Sequence, residues 1–216
     1  MTEKDVGISR ILKAILSALK VFCQKAKEYV CVAKIELIIL AVVLIFDIVT
    51  KQIVIATMPV HSEIEVIPSF FHLYHTHNPL AAFGQAFGLD NVLGTGGVRI
   101  FFIIITVIAL AAFSVMFYLA RGKNKLLRFA LALIIAGAIG NFIDRVAWGY
   151  VVDFVRIVYF GLNVPFFGRS FAIFNIADVA LVAGMIMFTA YYIFIWEDTA
   201  AAGAERPPEA EVKSEE

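Results

Sequence analysis

The chain of 216 residues is unusually apolar: 61% of its residues are hydrophobic, 17% are charged, and the mean hydropathy is +0.87. Soluble domains contain about 45–50% apolar and about 25% charged residues, so the composition excludes a water-exposed surface over much of the chain and makes lipid the expected solvent. The formal net charge is zero and no basic block is present, so charge indicates no nucleic-acid partner, and the length suits one domain.

Residues 1–34 carry seven lysines and arginines spread along their length, unlike a cleavable signal peptide, whose basic part is short and precedes a brief apolar core. Apolar residues recur there at helical spacing, which predicts a cytoplasmic amphipathic arm on an anionic membrane surface: Ile8, Ile11, Leu12, Ile15, Leu19 and Phe22. A mostly disordered basic arm is the alternative. Cys23 and Cys31 form no metal-binding motif and are interpreted as ordinary thiols.

Four segments are long and apolar enough to cross the hydrocarbon core, which takes about 20 residues in a helix. They predict a mainly α fold, a polytopic membrane protein whose four transmembrane helices form one unit at residues 35–196. The spans are expected at residues 35–56, 98–120, 127–146 and 174–196, with outer loops at 57–97 and 147–173.

The first outer loop shows partial period-two alternation at residues 63–67 and 71–75. This pattern predicts two or three short strands, and the glycine-rich stretch at 90–97 predicts a turn. The strands would form a small extracytoplasmic β-sheet resting on the outer membrane surface.

The direction of the spans follows from the distribution of lysine and arginine, which favour the cytoplasmic side. The arm contains seven, the short loop between the second and third spans contains four, residues 52–97 contain none, and residues 148–172 contain two. Both termini are therefore predicted to be cytoplasmic, and the two longer loops to face outward. Residues 197–216 are rich in glutamate, which predicts a disordered acidic tail.

Four carboxylates stand close to the predicted membrane boundaries: Asp47, Asp144, Asp153 and Asp178. A charged side chain in the bilayer costs at least about 2.5 kcal/mol, so such acids are expected to be paired, turned inward or functional. In the predicted orientation all four lie towards the outer side at one depth, which is how a site between helices is built.

Three pairs of polar residues have the spacing that places side chains on one helix face: Asn141 and Asp144, Asn175 and Asp178, and Asp47 and Lys51. Ala136 and Gly140 form a small-xxx-small pair that lets another helix approach closely. Two carboxylates that share a site cannot both ionise cheaply, so one keeps its proton and the pair can act as base and acid on one water. The alternative is that the acids only pair with Lys51 and Arg145 and hold the bundle together.

Other chemistries have little support in the sequence. No HExxH, Gly-x-Ser-x-Gly or phosphate-loop motif is present. His72, His75 and His77 form a cluster in a predicted strand, with His75 and His77 on one face, and are interpreted as polar strand residues rather than metal ligands. A proton-relaying transporter or channel would place acids at several depths, and a non-enzymatic assembly protein would not need the repeated Asn-x-x-Asp spacing.

Four sequence blocks, in order along the predicted spans, resemble those of lipoprotein signal peptidase, also called signal peptidase II. They are FDIVTK at residues 46–51, GAIGNFIDR at 137–145, GYVVDF at 149–154 and FNIAD at 174–178. Several spaced blocks are far more specific together than any one alone, and the resemblance covers residues 35–196.

The resemblance implies an aspartyl endopeptidase that acts without a metal or cofactor and whose catalytic pair falls on Asp153 and Asp178. The matched supporting positions are Asp47, Lys51, Asn78, Asn141, Asp144, Arg145 and Asn175. Among them, Asn175 is expected to orient Asp178. Asp144 and Arg145 are expected to hold the loop that carries Asp153 or to grip the substrate backbone.

The family's outer-loop motif, Arg-Asn-x-Gly-Ala-Ala-Phe, appears here as HNPLAAF at residues 77–83, so His77 replaces the arginine and Leu80 replaces the glycine. The implied substrate is a prolipoprotein whose lipobox cysteine carries a diacylglyceryl group. It would be cut just before that cysteine at the outer face of the bacterial cytoplasmic (inner) membrane. Membrane lipid is the other implied partner, and the chain is expected to be a monomer that binds no nucleic acid.

Overall fold

The computed structural model describes residues 33–79, 89–122, 124–160, 162 and 170–195, together with residues 16, 17, 20, 21 and 24. The predicted amphipathic arm lies almost wholly outside the described residues. The predicted acidic tail and residues 80–83 of the outer-loop motif lie wholly outside them.

Four helices are long and apolar enough to cross a membrane, as predicted. They are α1 (Lys34–Thr57), α2 (Leu89–Leu119), α3 (Lys125–Ala147) and α4 (Ile176–Phe194). Large apolar side chains face outward on α1, α2 and α4: Ile45, Ile108 and Ile186 are 61%, 60% and 64% exposed. Exposing so much apolar surface to water would be strongly unfavourable, so hydrocarbon is the solvent around this bundle.

Helix α2 begins earlier than predicted. It starts at Leu89 and contains one non-helical residue, Gly94, with φ 65° and ψ 169°. This conformation is essentially restricted to glycine, which has no Cβ to clash with the backbone. The stretch at 90–97, which was predicted as a turn, is therefore helix with a kink, and the apolar span within it is Gly96–Leu119.

The predicted small sheet is present and has three antiparallel strands in the order β1-β2-β3. The loop at 57–97 supplies β1 (Glu63–Ile67) and β2 (Phe71–Asn78), and the loop at 147–173 supplies β3 (Val151–Ile157), which the sequence did not predict. Thr76 of β2 lies opposite Asp153 of β3. The sheet therefore joins these two loops beside one of the four acids.

Helix α3 lies at the centre of the bundle, where it packs against α1, α2 and α4. A Cβ at Gly137 would collide with the backbone oxygen of Ala177 on α4, so this glycine permits a close approach of the two helices. At the end of the bundle away from the sheet, buried apolar side chains from three helices pack together, including Phe117, Leu127, Leu131 and Tyr191. Most of the buried polar side chains lie at the sheet end, whereas the buried Glu36, which pairs with Arg128 at 2.7 Å, lies at the opposite end.

Candidate active site

Lys51, near the end of α1, is a buried cation that joins two helices. Its Nζ lies 2.8 Å from Asp47 Oδ2 on the preceding turn and 2.9 Å from Asp144 Oδ2 on α3. It also donates a hydrogen bond of 3.2 Å to Asn141 Oδ1. An ammonium group has three N–H donors, so each has a partner here. The predicted pairing of Asp47 with Lys51 is confirmed, and this half of the cluster does hold helices together.

The two acids paired with Lys51 also fix the backbone next to the other two acids. Asp47 Oδ1 accepts a hydrogen bond of 2.9 Å from the N–H of Ala177, the residue before Asp178. Asp144 Oδ2 accepts one of 3.1 Å from the N–H of Val152, the residue before Asp153. Each of these N–H groups would otherwise lack a partner, at the start of α4 and along the edge of β3. Four distant sequence positions are thereby brought together.

Asp153 is buried, at 2% exposure, and is held by two neutral amides. Asn78 Nδ2 donates to its Oδ2 at 2.8 Å, and Asn175 Nδ2 donates to its Oδ1 at 2.7 Å. Burial, and next the negative charge of Asp178, raise the pKa of Asp153 from 3.8 to about 7, although Asn78, Lys51 and Asn175 act in the opposite direction. This carboxyl group therefore holds or releases a proton near neutral pH.

The spacing of Asn175 and Asp178 predicted a shared helix face, but Asn175 lies outside the helix as the N-cap of α4. Its Oδ1 accepts from the backbone N–H of Asp178 at 2.9 Å, and Asp178 Oδ2 accepts from the backbone N–H of Asn175 at 3.1 Å. This reciprocal capping box satisfies amides that the helix leaves free. The side-chain NH₂ of Asn175 is directed to Asp153, while Asn141 Nδ2 donates to Asp178 Oδ1 at 2.7 Å. The NH₂ group of each asparagine therefore donates to an acid outside its own Asn-x-x-Asp pair.

Arg145 occupies the last turn of α3 beside the cluster. Its Nη1 donates a long hydrogen bond of 3.4 Å to Asn141 O in the same helix, and it forms no ion pair with an acid within the described part of the chain. Two α2 residues that sequence analysis did not single out, Arg99 and Phe102, contact it. The sequence signal that could have identified Arg99 is its position as an isolated cation at the start of the second apolar span.

The three histidines of β2 are not brought together as one site. His72 Nδ1 lies 2.7 Å from Glu63 Oε1, whereas the buried His75 ring contacts Met58 O at 2.8 Å through Nδ1. His77, at the family's arginine position, stacks on Tyr150 with ring centroids 3.8 Å apart. Among the described residues, no group of three or more histidine, cysteine, aspartate or glutamate side chains could hold a metal ion.

Four helices are long and apolar enough to cross a membrane, and charged and amide side chains are enclosed where these helices meet a small sheet. The structure is therefore that of a polytopic membrane protein with a buried polar site. The sequence model of the family described as "Signal peptidase (SPase) II" matches residues 39–194. The chain belongs to this family of membrane peptidases.

Relatives and solved structures agree with that membership. The chain is 39% identical to a lipoprotein signal peptidase of Symbiobacterium thermophilum over 163 residues, which cover 73% of this chain and 94% of the relative. It is also 39% identical to one of Staphylococcus haemolyticus, over 75% of this chain and 90% of the relative. Two structures of a bacterial membrane enzyme determined by the in meso method, 36% and 38% identical, superpose with TM-scores of 0.61. They cover 81% and 75% of this chain and 94% of their own chains.

Proposed function

We propose that this chain is an aspartyl endopeptidase that removes the signal peptide from diacylglyceryl-modified prolipoproteins by cutting just before the lipidated cysteine. The substrate class comes from its relatives, which are named lipoprotein signal peptidases. The observation that carries the aspartyl mechanism is a division among the four acids. Asp47 and Asp144 share Lys51, whereas Asp153 and Asp178 form no ion pair in the part of the chain that the structure describes and accept hydrogen bonds from neutral amides.

Two neighbouring carboxyl groups without a direct cation favour a state in which they share one proton. Asp153, with its raised pKa, holds that proton, and Asp178 is the base. Asp178 takes a proton from a water molecule as the water oxygen attacks the peptide carbonyl carbon, and Asp153 gives its proton to the carbonyl oxygen. A tetrahedral diol forms without a metal or a covalent intermediate.

The diol then breaks down as the same two groups exchange protons in the opposite direction. Asp178 donates its proton to the amide nitrogen while the C–N bond breaks, and one diol hydroxyl returns a proton to Asp153. The products are a carboxyl group on the signal peptide and a free amino group on the lipidated cysteine. The dyad is back in its starting state.

The groups around the dyad have contacts that match supporting roles in this reaction. Three asparagines fix the two carboxyl groups, and fixed geometry is what lets a bound water react as though it were intramolecular. The guanidinium of Arg145 has N–H donors that bind no acid among the described residues. These donors are therefore available to bind a carbonyl oxygen of the substrate peptide.

The distribution of lysine and arginine supports an outward-facing site in the bacterial cytoplasmic membrane, with both termini cytoplasmic. Exposed apolar residues of β1 support a sheet that rests on the outer membrane surface, since Ile64, Val66 and Ile67 are each about half exposed. A lipid-anchored scissile bond would lie at the same boundary. A single chain contributes every group of the cluster, which fits a monomer.

The test is cleavage of a diacylglyceryl-modified prolipoprotein by the purified chain in detergent, measured as signal-peptide release. The unmodified precursor is the matched substrate control and should remain uncut. Asp153→Asn and Asp178→Asn should each abolish cleavage while the protein remains folded in a thermal unfolding scan. Glu65→Gln, at an exposed acid of β1, should keep parental turnover. Near-normal turnover in either dyad variant would show that the catalytic assignment is wrong.

A further inference from the structure

The sheet end of α2 holds the main chain of the last turn of α3. Arg99 Nε donates a hydrogen bond of 3.1 Å to Arg145 O, and its Nη2 donates one of 2.8 Å to Val146 O. Arg145 O also accepts a hydrogen bond of 3.2 Å from the N–H of Gly149, so Arg99 adds a side-chain donor to it, and a cation at the end of a helix complements the helix dipole. The turn that follows fits against the same side chain: at Gly149, where φ is 85°, a Cβ would lie 3.2 Å from Arg99 Nη1.

One turn further along α2, Phe102 supports the side chain of Arg145. The Arg145 Cζ lies 5.4 Å from the centroid of the Phe102 ring, which is within the range of a cation–π contact. Residues three apart lie on the same face of a helix, so Arg99 and Phe102 act from one surface. Helix α2 thus contacts Arg145 at two points: Arg99 binds the carbonyl oxygen of Arg145, and Phe102 contacts its guanidinium group.

The guanidinium of Arg145 is fixed in place but is not saturated with acceptors. Among the described residues its buried Nε has no hydrogen-bond partner, and its one side-chain hydrogen bond there is the long contact to Asn141 O. A buried donor without a partner is unfavourable, so a guanidinium held in this state is prepared for an acceptor that arrives with a ligand.

We propose that Arg99 and Phe102 are positioning residues that aim Arg145 at a backbone carbonyl of the substrate peptide. The inference rests on the proposed peptidase function, within which Arg145 touches the substrate and the two α2 residues act through it. Arg99 fixes where the helix end lies, and Phe102 fixes which way the guanidinium points.

The experiment is a double-mutant cycle of Phe102→Leu with Arg145→Gln, read out by single-turnover cleavage of a diacylglyceryl-modified prolipoprotein peptide and by melting temperature in detergent. Phe102→Leu should lower kcat/KM by about 2- to 30-fold, which is the range that corresponds to a cation–π contact. It should have no further effect in the Arg145→Gln background. Phe102→Tyr, which keeps the ring face, should restore kcat/KM.

Phe113→Leu is the matched control, because it makes the same change on α2 at a ring that packs against Phe188 rather than against a cation. It should leave kcat/KM near the parental value. Equal losses from Phe102→Leu in both backgrounds, or no rescue by tyrosine, would overturn the inference. If the parent itself does not cleave, the proposed function fails. The inference falls with it in that case, whereas a parent that cleaves but shows additive losses in the cycle overturns the inference alone.

Discussion

Raising the pH through neutrality should destabilise this chain relative to an Asp153→Asn variant, because folding favours the protonated form of Asp153. The pKa of this carboxyl group is about 7 in the folded chain and near 3.8 when it is fully solvated. The stability that the proton contributes is therefore complete below about pH 4 and is lost as the pH rises through about 7. At about 1.4 kcal/mol for each pKa unit, the loss approaches about 4 kcal/mol.

The assay is thermal unfolding in detergent, for parent and variant, at pH values from about 5 to about 8.5, a range that spans most of the expected transition. The variant places an NH₂ group against the amide of Asn78 or Asn175, which costs about 1–3 kcal/mol at every pH. Because that offset is constant, the prediction concerns the difference between the two melting temperatures. The difference should change in favour of the variant as the pH rises.

Glu209→Gln, in the predicted acidic tail, is the control for this experiment, because it neutralises an acid outside the motif blocks that carry the site and should leave the pH dependence of the parent unchanged. Turnover by the parent should fall as the pH rises through about 7, since ionised Asp153 has no proton to give. The midpoint of that fall describes the coupled pair rather than one residue. A melting-temperature difference between parent and Asp153→Asn that stays constant with pH refutes the argument that burial keeps Asp153 protonated.

Three further predictions concern the buried cation, metals and topology. Lys51→Met should lower the free energy of unfolding by about 3–5 kcal/mol, because Asp47 and Asp144 would remain buried without a cation; a parental melting temperature would contradict this role. Cleavage should survive exhaustive treatment with EDTA, and a loss that a divalent ion restores would point to metal chemistry. In a background without native cysteines, Leu162→Cys should react with a membrane-impermeant maleimide from outside the cell and Lys123→Cys should not; the reverse labelling would place the site on the wrong side.

Composition alone was sufficient to predict the helices, because a bilayer requires long apolar segments that stand out in any sequence. The exceptions lie where backbone geometry rather than hydrophobicity decides the structure. The helix that begins at Leu89 and continues past Gly94 has the glycine content of a turn, and β3 has no clear alternation because Val151, Val152, Asp153 and Phe154 are all buried. Such a strand is recognisable only when its neighbours are known.

The location of the site could also be predicted, since a buried charge is costly and must have a reason to be present. The pairing within it could not. Asn175 and Asp178 have the spacing of one helix face, but the same spacing is that of a capping box, in which the first residue lies outside the helix. As a result the NH₂ group of Asn175 is free to reach Asp153, and Asn141 on another helix contacts Asp178.

The small-xxx-small pair on α3 shows how packing and polarity combine at this site. Spacing predicted only that Gly140 would let another helix approach closely. In the structure, a Cβ at this position would lie 2.6 Å from Asp47 Oδ2 and 3.0 Å from Ala177 Cβ, so the missing side chain makes room for a carboxylate between three helices. From there Asp47 reaches both the Lys51 ammonium and the N–H of Ala177. The close approach of the helices is therefore what allows an ion pair on α1 to fix the first turn of α4, the turn that carries Asp178.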